Sequence, residues 1–150
     1  MFELRDLYQQ VIVDHNKSPR NFGKLAEYNH EADGYNPLCG DKLHIYLKVD
    51  GNGIVEDVSF EGEGCAISIA SASLMTQAMK GKSVAEFESM FNDFQHLVTS
   101  DIAELPADRL GKLAVLAGVR EFPSRIKCAI LCWHTMKSAV RGDAKPAKTE

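Results

Sequence analysis

Apolar residues recur near the start of the chain at Leu4, Leu7, Tyr8, Val11 and Ile12, the spacing of one face of an α-helix. This predicts an amphipathic helix over residues 3–15, broken by the stretch from Ser18-Pro19 to Gly23. Further on the period falls to two. In LHIYLKV (43–49), Leu43, Ile45, Leu47 and Val49 share one face, and IVEDVSF follows the turn-forming DGNG at 50–53. Two alternating runs around an Asp-Gly/Asn-Gly turn predict a β-hairpin. A third strand is expected around residues 29–35, ahead of the turn NPLCGD (36–41).

From Cys65 the pattern becomes helical again. CAISIASASLMTQAMKG is rich in small residues and ends at Gly81, where a helix terminates readily. Ser83, followed three residues later by Glu86, has the form of a capping box and predicts a helix over FESMFNDFQHLV. Another helix is predicted at roughly 107–117. The last starts near Ser124, after Pro123, and carries RIKCAILCWHTMKSAV. One helix, then strands, then helices describes an α+β fold, with a small antiparallel sheet packed against several helices. A single domain over 1–141 and a flexible tail, GDAKPAKTE (142–150), complete the expected organisation.

Composition narrows the function more than the fold. With 150 residues, 45% hydrophobic and 25% charged, the chain can bury one core without staples. It contains no apolar run of membrane-spanning length, and its first residues mix acids and bases unlike a secretory signal. We therefore expect a cytoplasmic protein without a membrane partner. The formal net charge of −4 argues against a general nucleic-acid binder, which needs a basic surface. Lysines and arginines are scattered, apart from Arg125 and Lys127.

The candidate chemistry lies in four cysteines, Cys39, Cys65, Cys128 and Cys132. In a reducing compartment such thiols bind metal or react more often than they pair as disulfides. Cys39 sits in the NPLCGD turn, two residues before Asp41. Cys65 follows EGEG, where a strand gives way to a helix, and Cys128 lies in the first turns of the last helix, beside Arg125 and Lys127. Unpaired N–H groups at a helix start favour a thiolate. Three thiols and one carboxylate at element boundaries suit a tetrahedral zinc site, with the carboxylate as the more exchangeable ligand. Fully ionised, such a site carries more negative charge than a divalent ion neutralises, which makes the two cations sensible neighbours. Taken singly, each of Cys39, Cys65 and Cys128 reads better as a small buried hydrophobe and Asp41 as a turn or capping residue; only their conjunction points to a metal site.

NPLCGD, EGEGCAIS (61–68) and SRIKCAILCW (124–133) resemble the three cysteine motifs of the iron–sulfur cluster assembly family that includes IscU and the N-terminal domain of NifU. The opening LYQQVIVDHNKSPRNFG fits as well, and the resemblance runs from about residue 3 to residue 141. A long segment between the second and third cysteines, with an extra stretch around 90–118, resembles the SufU branch. So does Lys127, where the scaffold branch carries a histidine. The resemblance implies an IscU/SufU-like fold and Zn²⁺ held by Cys39, Asp41, Cys65 and Cys128. It implies a sulfurtransferase that takes persulfide sulfur from a cysteine desulfurase of SufS type, on behalf of downstream iron–sulfur assembly proteins. Cys39 on its turn is then the expected sulfur acceptor and Cys128 the alternative, with Arg125 and Lys127 as electrostatic support. The rival reading is a scaffold that builds a [2Fe–2S] cluster on the same ligands. A third is a structural zinc domain acting only as an adaptor.

Some residues stand outside this pattern. Cys132 replaces the small residue usual in the motif and is four residues from Cys128. Packing is the favoured reading, a resolving thiol the alternative. Met75, Met79 and Met90 are expected in the core. Trp133 suits either core or a partner surface. His44 is read as an exposed strand residue and Tyr35 as either a shield for the metal or a plain loop aromatic.

Overall fold

The computed structural model describes residues 4–99, 110–142 and 147–148. Helix α1 (Leu4–Lys17) leads into strand β1 (His30–Asn36), then the hairpin of β2 (Asp41–Val49) and β3 (Val55–Glu63). Helices α2 (Ala66–Met79) and α3 (Val84–Thr99) follow, then a 3₁₀-helix (Gly111–Glu121), a 3₁₀ turn (Pro123–Arg125), helix α4 (Ile126–Arg141) and a two-residue strand, β4 (Ala147–Lys148). The sheet order is β3-β2-β1-β4, antiparallel except for the parallel β1–β4 edge. This is the expected α+β architecture.

The sheet is built by the alternation read from the sequence. Leu43, Ile45 and Leu47 are buried on one face of β2, and Val58 and Phe60 join them from β3. Asp50 organises the hairpin loop, its carboxylate accepting from the N–H of Asn52 at 2.8 Å and of Ile54 at 3.0 Å. Both strands run beyond the alternating apolar core, β2 back to Asp41 and β3 on to Glu63, so the end of the sheet holds Asp41 and stops two residues short of Cys65. The register pairs Asn36 with Asp41 and closes the NPLCGD turn.

Helix α2 lies at the centre. Ala70, Ser71, Ala72 and Ser73 are all fully buried, a pattern that marks a helix enclosed on every side. Small side chains allow α1, α4 and β3 to approach it together. Ser71 Oγ donates to the Ala129 carbonyl of α4, and Ser73 Oγ meets His15 Nδ1 of α1 at 2.7 Å. Helix α3 opens with the predicted capping box: the Glu86 N–H donates to Ser83 Oγ (3.0 Å), and the Ser83 N–H to the Glu86 carboxylate (3.2 Å). Its Phe87, Phe91 and Phe94 surround Trp133 with ring centroids 4.9–6.0 Å away, so Trp133 belongs to the core. Met75 and Met79 are fully buried and Met90 packs at the core edge.

The helix expected at 107–117 is different in kind. Residues 107–109 lie outside the described residues, and from Gly111 the backbone is a 3₁₀-helix that runs on to Glu121. Its buried side chains, Leu113, Leu116 and Val119, recur every third residue, the period that keeps one face of a 3₁₀-helix inward. Gly118 lies against the Tyr8 ring, where a Cβ would collide. The last helix begins two residues later than read, after the 3₁₀ turn at Pro123–Arg125, and ends at Gly142 in the left-handed conformation.

Helix α4 crosses β1 and β2, and Gly34 sets how closely it does so. A Cβ at Gly34 would overlap the Thr135 side chain and crowd Leu131. Gly34→Ala is expected to destabilise the fold by about 1–3 kcal/mol through overpacking. Urea unfolding measures this, and an unchanged midpoint would show that α4 does not rest on β1 at that point.

Candidate metal centre

Three turns or helix starts meet where the sheet ends. Cys39 lies on the β1–β2 turn, whose backbone is closed by the Cys39 N–H donating to the Asn36 carbonyl at 3.3 Å. Asp41 opens β2. Cys65 is the N-cap of α2, and Cys128 lies in the first turn of α4. Arg125 ends the 3₁₀ turn immediately before α4.

The carboxylate is the structural hub. Asp41 is 1% exposed, and burying a charged carboxylate requires donors. Its Oδ1 accepts from the Cys65 N–H at 2.8 Å and its Oδ2 from Asn36 Nδ2 at 3.1 Å. Gly64 makes the first contact possible. Its φ of 155° is open to glycine, and a Cβ there would strike the Asp41 carboxylate.

The sulfurs gather around this carboxylate. Cys39 Sγ and Cys128 Sγ are 3.2 Å apart, and Cys65 Sγ is 3.9 Å from Asp41 Oδ2. Donor atoms of Cys39, Asp41 and Cys128 all lie within 4.8 Å of one another. Zinc–thiolate bonds of ~2.3 Å in a tetrahedron separate ligand sulfurs by about 3.8 Å, so this donor set fits such an ion, with Cys65 at its edge. Soft thiolates with one carboxylate suit zinc, and the same thiolates suit an iron–sulfur cluster. All four cysteines are free thiols.

Protonation is divided unevenly. A hydrogen bond from Cys128 pulls the Cys65 thiol below its ordinary range, and the Ser68 N–H, 3.4 Å from its sulfur, acts in the same direction. Cys128 moves the opposite way. Its hydrogen bond to Cys65, its burial and its contact with Cys39 all favour the protonated form. The field of a helix start led us to expect a thiolate at both positions, but Cys128 is fully buried and acts as the proton donor of the pair. Arg125 Nη1 lies 3.3 Å from Cys39 Sγ, and the cysteines in turn raise the pKa of the guanidinium. Lys127 is half-buried and makes no hydrogen bond or ion pair among the described residues.

The other candidates lie elsewhere. Cys132 is fully buried, 3.5 Å from Ser71 Oγ, and burial pushes its thiol up to about 12. That is the environment of a packing residue. His44 faces the opposite side of the sheet, between Asp33 (2.5 Å) and Glu31 (3.2 Å). Tyr35 alternates away from buried Asn36 on β1. Sequence reasoning missed Asn36, which contacts Asp41 and also donates to Cys128 Sγ at 3.3 Å. It read Asn36-Pro37 only as a turn start, although an Asn at the strand end beside a Cys-Gly-Asp turn was a usable signal.

Fold and cluster together define a small α+β domain presenting a thiol–carboxylate group suited to a metal ion. The chain matches the model of the NifU-like N terminal domain over residues 7–129 and belongs to that family of iron–sulfur cluster assembly domains. It is 47% identical over 137 residues to the zinc-dependent sulfurtransferase SufU of Bacillus subtilis, covering 91% of each chain. It is 41% identical over 143 residues to the iron–sulfur cluster assembly scaffold protein IscU of Streptococcus pyogenes, covering 95% of this chain and 87% of that one. A crystal structure of a candidate iron–sulfur cluster assembly scaffold protein for the SUF system, from Fervidobacterium islandicum AW-1, superposes with a TM-score of 0.82 at 32% identity. That match covers 91% of this chain and 98% of the other. Among the described residues, no helix is long and apolar enough to cross a membrane.

The divided protonation has a direct readout. Thiolates, not thiols, are alkylated. In the metal-free protein, Cys65 is therefore expected to react with iodoacetamide at pH values below the ordinary thiol range, while Cys128 remains unreactive there. Rates mapped by mass spectrometry across pH check this, and identical profiles for the two cysteines would contradict the shared proton.

Proposed function

We propose that the protein is a zinc-dependent sulfurtransferase of iron–sulfur cluster assembly, accepting persulfide sulfur on Cys39 from a cysteine desulfurase of SufS type in the cytoplasm. Cys39, Asp41, Cys65 and Cys128 hold the metal in this reading. The observation that carries the choice of Cys39 is its position. It is half-buried on a turn next to Leu38, which is 67% exposed, whereas Cys128 is fully buried in a helix. The 47% identity to a protein named as a zinc-dependent sulfurtransferase supports the reaction class.

Zinc in such a site keeps its thiolate ligands deprotonated and adds no redox chemistry of its own. The rest is the work of this chain. Asp41, Cys65 and Cys128 belong to the ends of regular elements and stay in place, while the turn from Asn36 to Asp41 is short and reaches solvent. The Arg125 guanidinium, 3.3 Å from Cys39 Sγ, stabilises negative charge on that sulfur when it moves. The Cys39 thiolate attacks the outer sulfur of the desulfurase persulfide. A Cys39–sulfur bond forms and the desulfurase S–S bond breaks. The desulfurase cysteine leaves as a thiolate, and the outer sulfur keeps its proton, so no external oxidant or reductant is needed.

A second reading, assembly of a [2Fe–2S] cluster on the same residues, is favoured by the 41% identity to an IscU scaffold. Lys127 weighs against it, because a protonated ammonium offers no lone pair to iron.

The reading is tested by incubating the zinc-loaded protein with a cysteine desulfurase and cysteine, trapping persulfides with an alkylating label and mapping them. Labelled sulfur is expected on Cys39 and its uptake is abolished in Cys39→Ala. Undiminished uptake by Cys39→Ala would overturn the assignment. Stable iron with labile sulfide on the wild-type protein would place the scaffold reading first.

A further inference from the structure

Asn36 has contacts that a turn residue does not need. Its side chain is fully buried, and Nδ2 donates both to Asp41 Oδ2 (3.1 Å) and to Cys128 Sγ (3.3 Å). Its backbone carbonyl accepts from the Cys39 N–H at 3.3 Å. One residue thus touches three of the four groups of the candidate centre, and its register partner across the β1–β2 pair is Asp41 itself.

The orientation of the amide is fixed by its surroundings. Turned over, Oδ1 would set its lone pairs against those of an Asp41 carboxylate oxygen, and both Nδ2 donor contacts would be lost. The observed orientation leaves Oδ1 buried without a hydrogen-bond partner among the described residues. An unmet buried acceptor is destabilising, and an apolar residue of similar outline would avoid that cost. Packing alone therefore does not account for an amide at this position. Its two donor contacts do.

We propose that Asn36 is the positioning residue of this centre. Its side-chain amide fixes Asp41 and Cys128 as anchors, and its carbonyl ties down the turn that presents Cys39. The proposal rests on the metal-binding reading above and adds a division of labour to it. Two groups are held by a neutral donor from the strand, and exchange falls on Cys39, which Asn36 holds only through the backbone. A neutral donor serves here because it stabilises charge on both acceptors without adding charge to a buried site.

The test uses the full chain with Asn36→Leu, which keeps the branched outline in a larger apolar side chain and removes the donor, and Asn36→Ala, which removes both. Zinc affinity is read by competition with a chromophoric chelator, the ligand field by the visible spectrum of the Co²⁺-substituted protein, and the fold by thermal unfolding of the metal-free chain. Both variants are expected to bind zinc about 10- to 100-fold more weakly, with an altered Co²⁺ spectrum. A residue that only packs would lower the unfolding temperature in the variants and leave zinc affinity and the Co²⁺ spectrum unchanged. Zinc affinity within about threefold of wild type in both variants, with the same spectrum, would overturn the proposal and leave the sulfur-transfer reading intact. A wild-type chain that binds neither metal would overturn the proposal together with the metal-binding reading.

Discussion

The arrangement depends on burying one carboxylate. Asp41 sits at 1% exposure where β1, β2 and the β3–α2 junction meet, and a carboxylate so placed needs donors, which Asn36 of β1 and the Cys65 N–H of the junction supply. That requirement explains several local features at once. Gly64 has no side chain because the carboxylate occupies the space. The Cys65 N–H points back at Asp41 instead of into water, which also sets the first turn of α2. The β1–β2 pair closes on Asn36 and Asp41, so the turn between them is held at both ends while Cys39 lies in its middle.

The sulfurs inherit this geometry. Cys65 and Cys128 are placed by helices that pack into the core, Cys65 as the cap of α2 and Cys128 on the buried side of α4. Cys65 is drawn towards the thiolate and Cys128 towards the thiol, burial adding to the shift at Cys128. Cys39 differs by being on a turn, with Arg125 as a charged partner that reaches it from the edge of α4. A site built this way has three members at the ends of regular elements and one on a turn, the division that the proposed sulfur acceptor requires. Cys132, four residues beyond Cys128, faces Ser71 and the core and takes no part in the cluster.

Much of the fold was legible in the sequence because its strongest periods coincide with burial. The alternation of Leu43, Ile45 and Leu47, the Asp50 turn and the Ser83–Glu86 capping box each became the predicted element. The 3₁₀-helix at Gly111–Glu121 was misread as α-helical because LGKLAVLAG satisfies either spacing over so short a window. What distinguishes them, a glycine pressed on Tyr8 and burial at every third residue, exists only once α1 is in place. At the candidate site, residue types and element boundaries pointed to Cys39, Asp41, Cys65 and Cys128. Spacing could not show that they meet, since 24 residues separate Asp41 from Cys65 and α4 comes from the far end of the chain. The contact of Asn36 with Cys128 could not be read for the same reason, since the two are 92 residues apart.

In the proposed centre, Cys39, Asp41, Cys65 and Cys128 converge on a single metal ion. Zinc K-edge X-ray absorption on the zinc-loaded protein tests it most directly, because the spectrum separates sulfur from oxygen ligands at their different distances. A four-coordinate shell of three sulfurs and one oxygen is expected, losing one sulfur in Cys39→Ala. A shell of four sulfurs, or one dominated by oxygen and nitrogen, would contradict it.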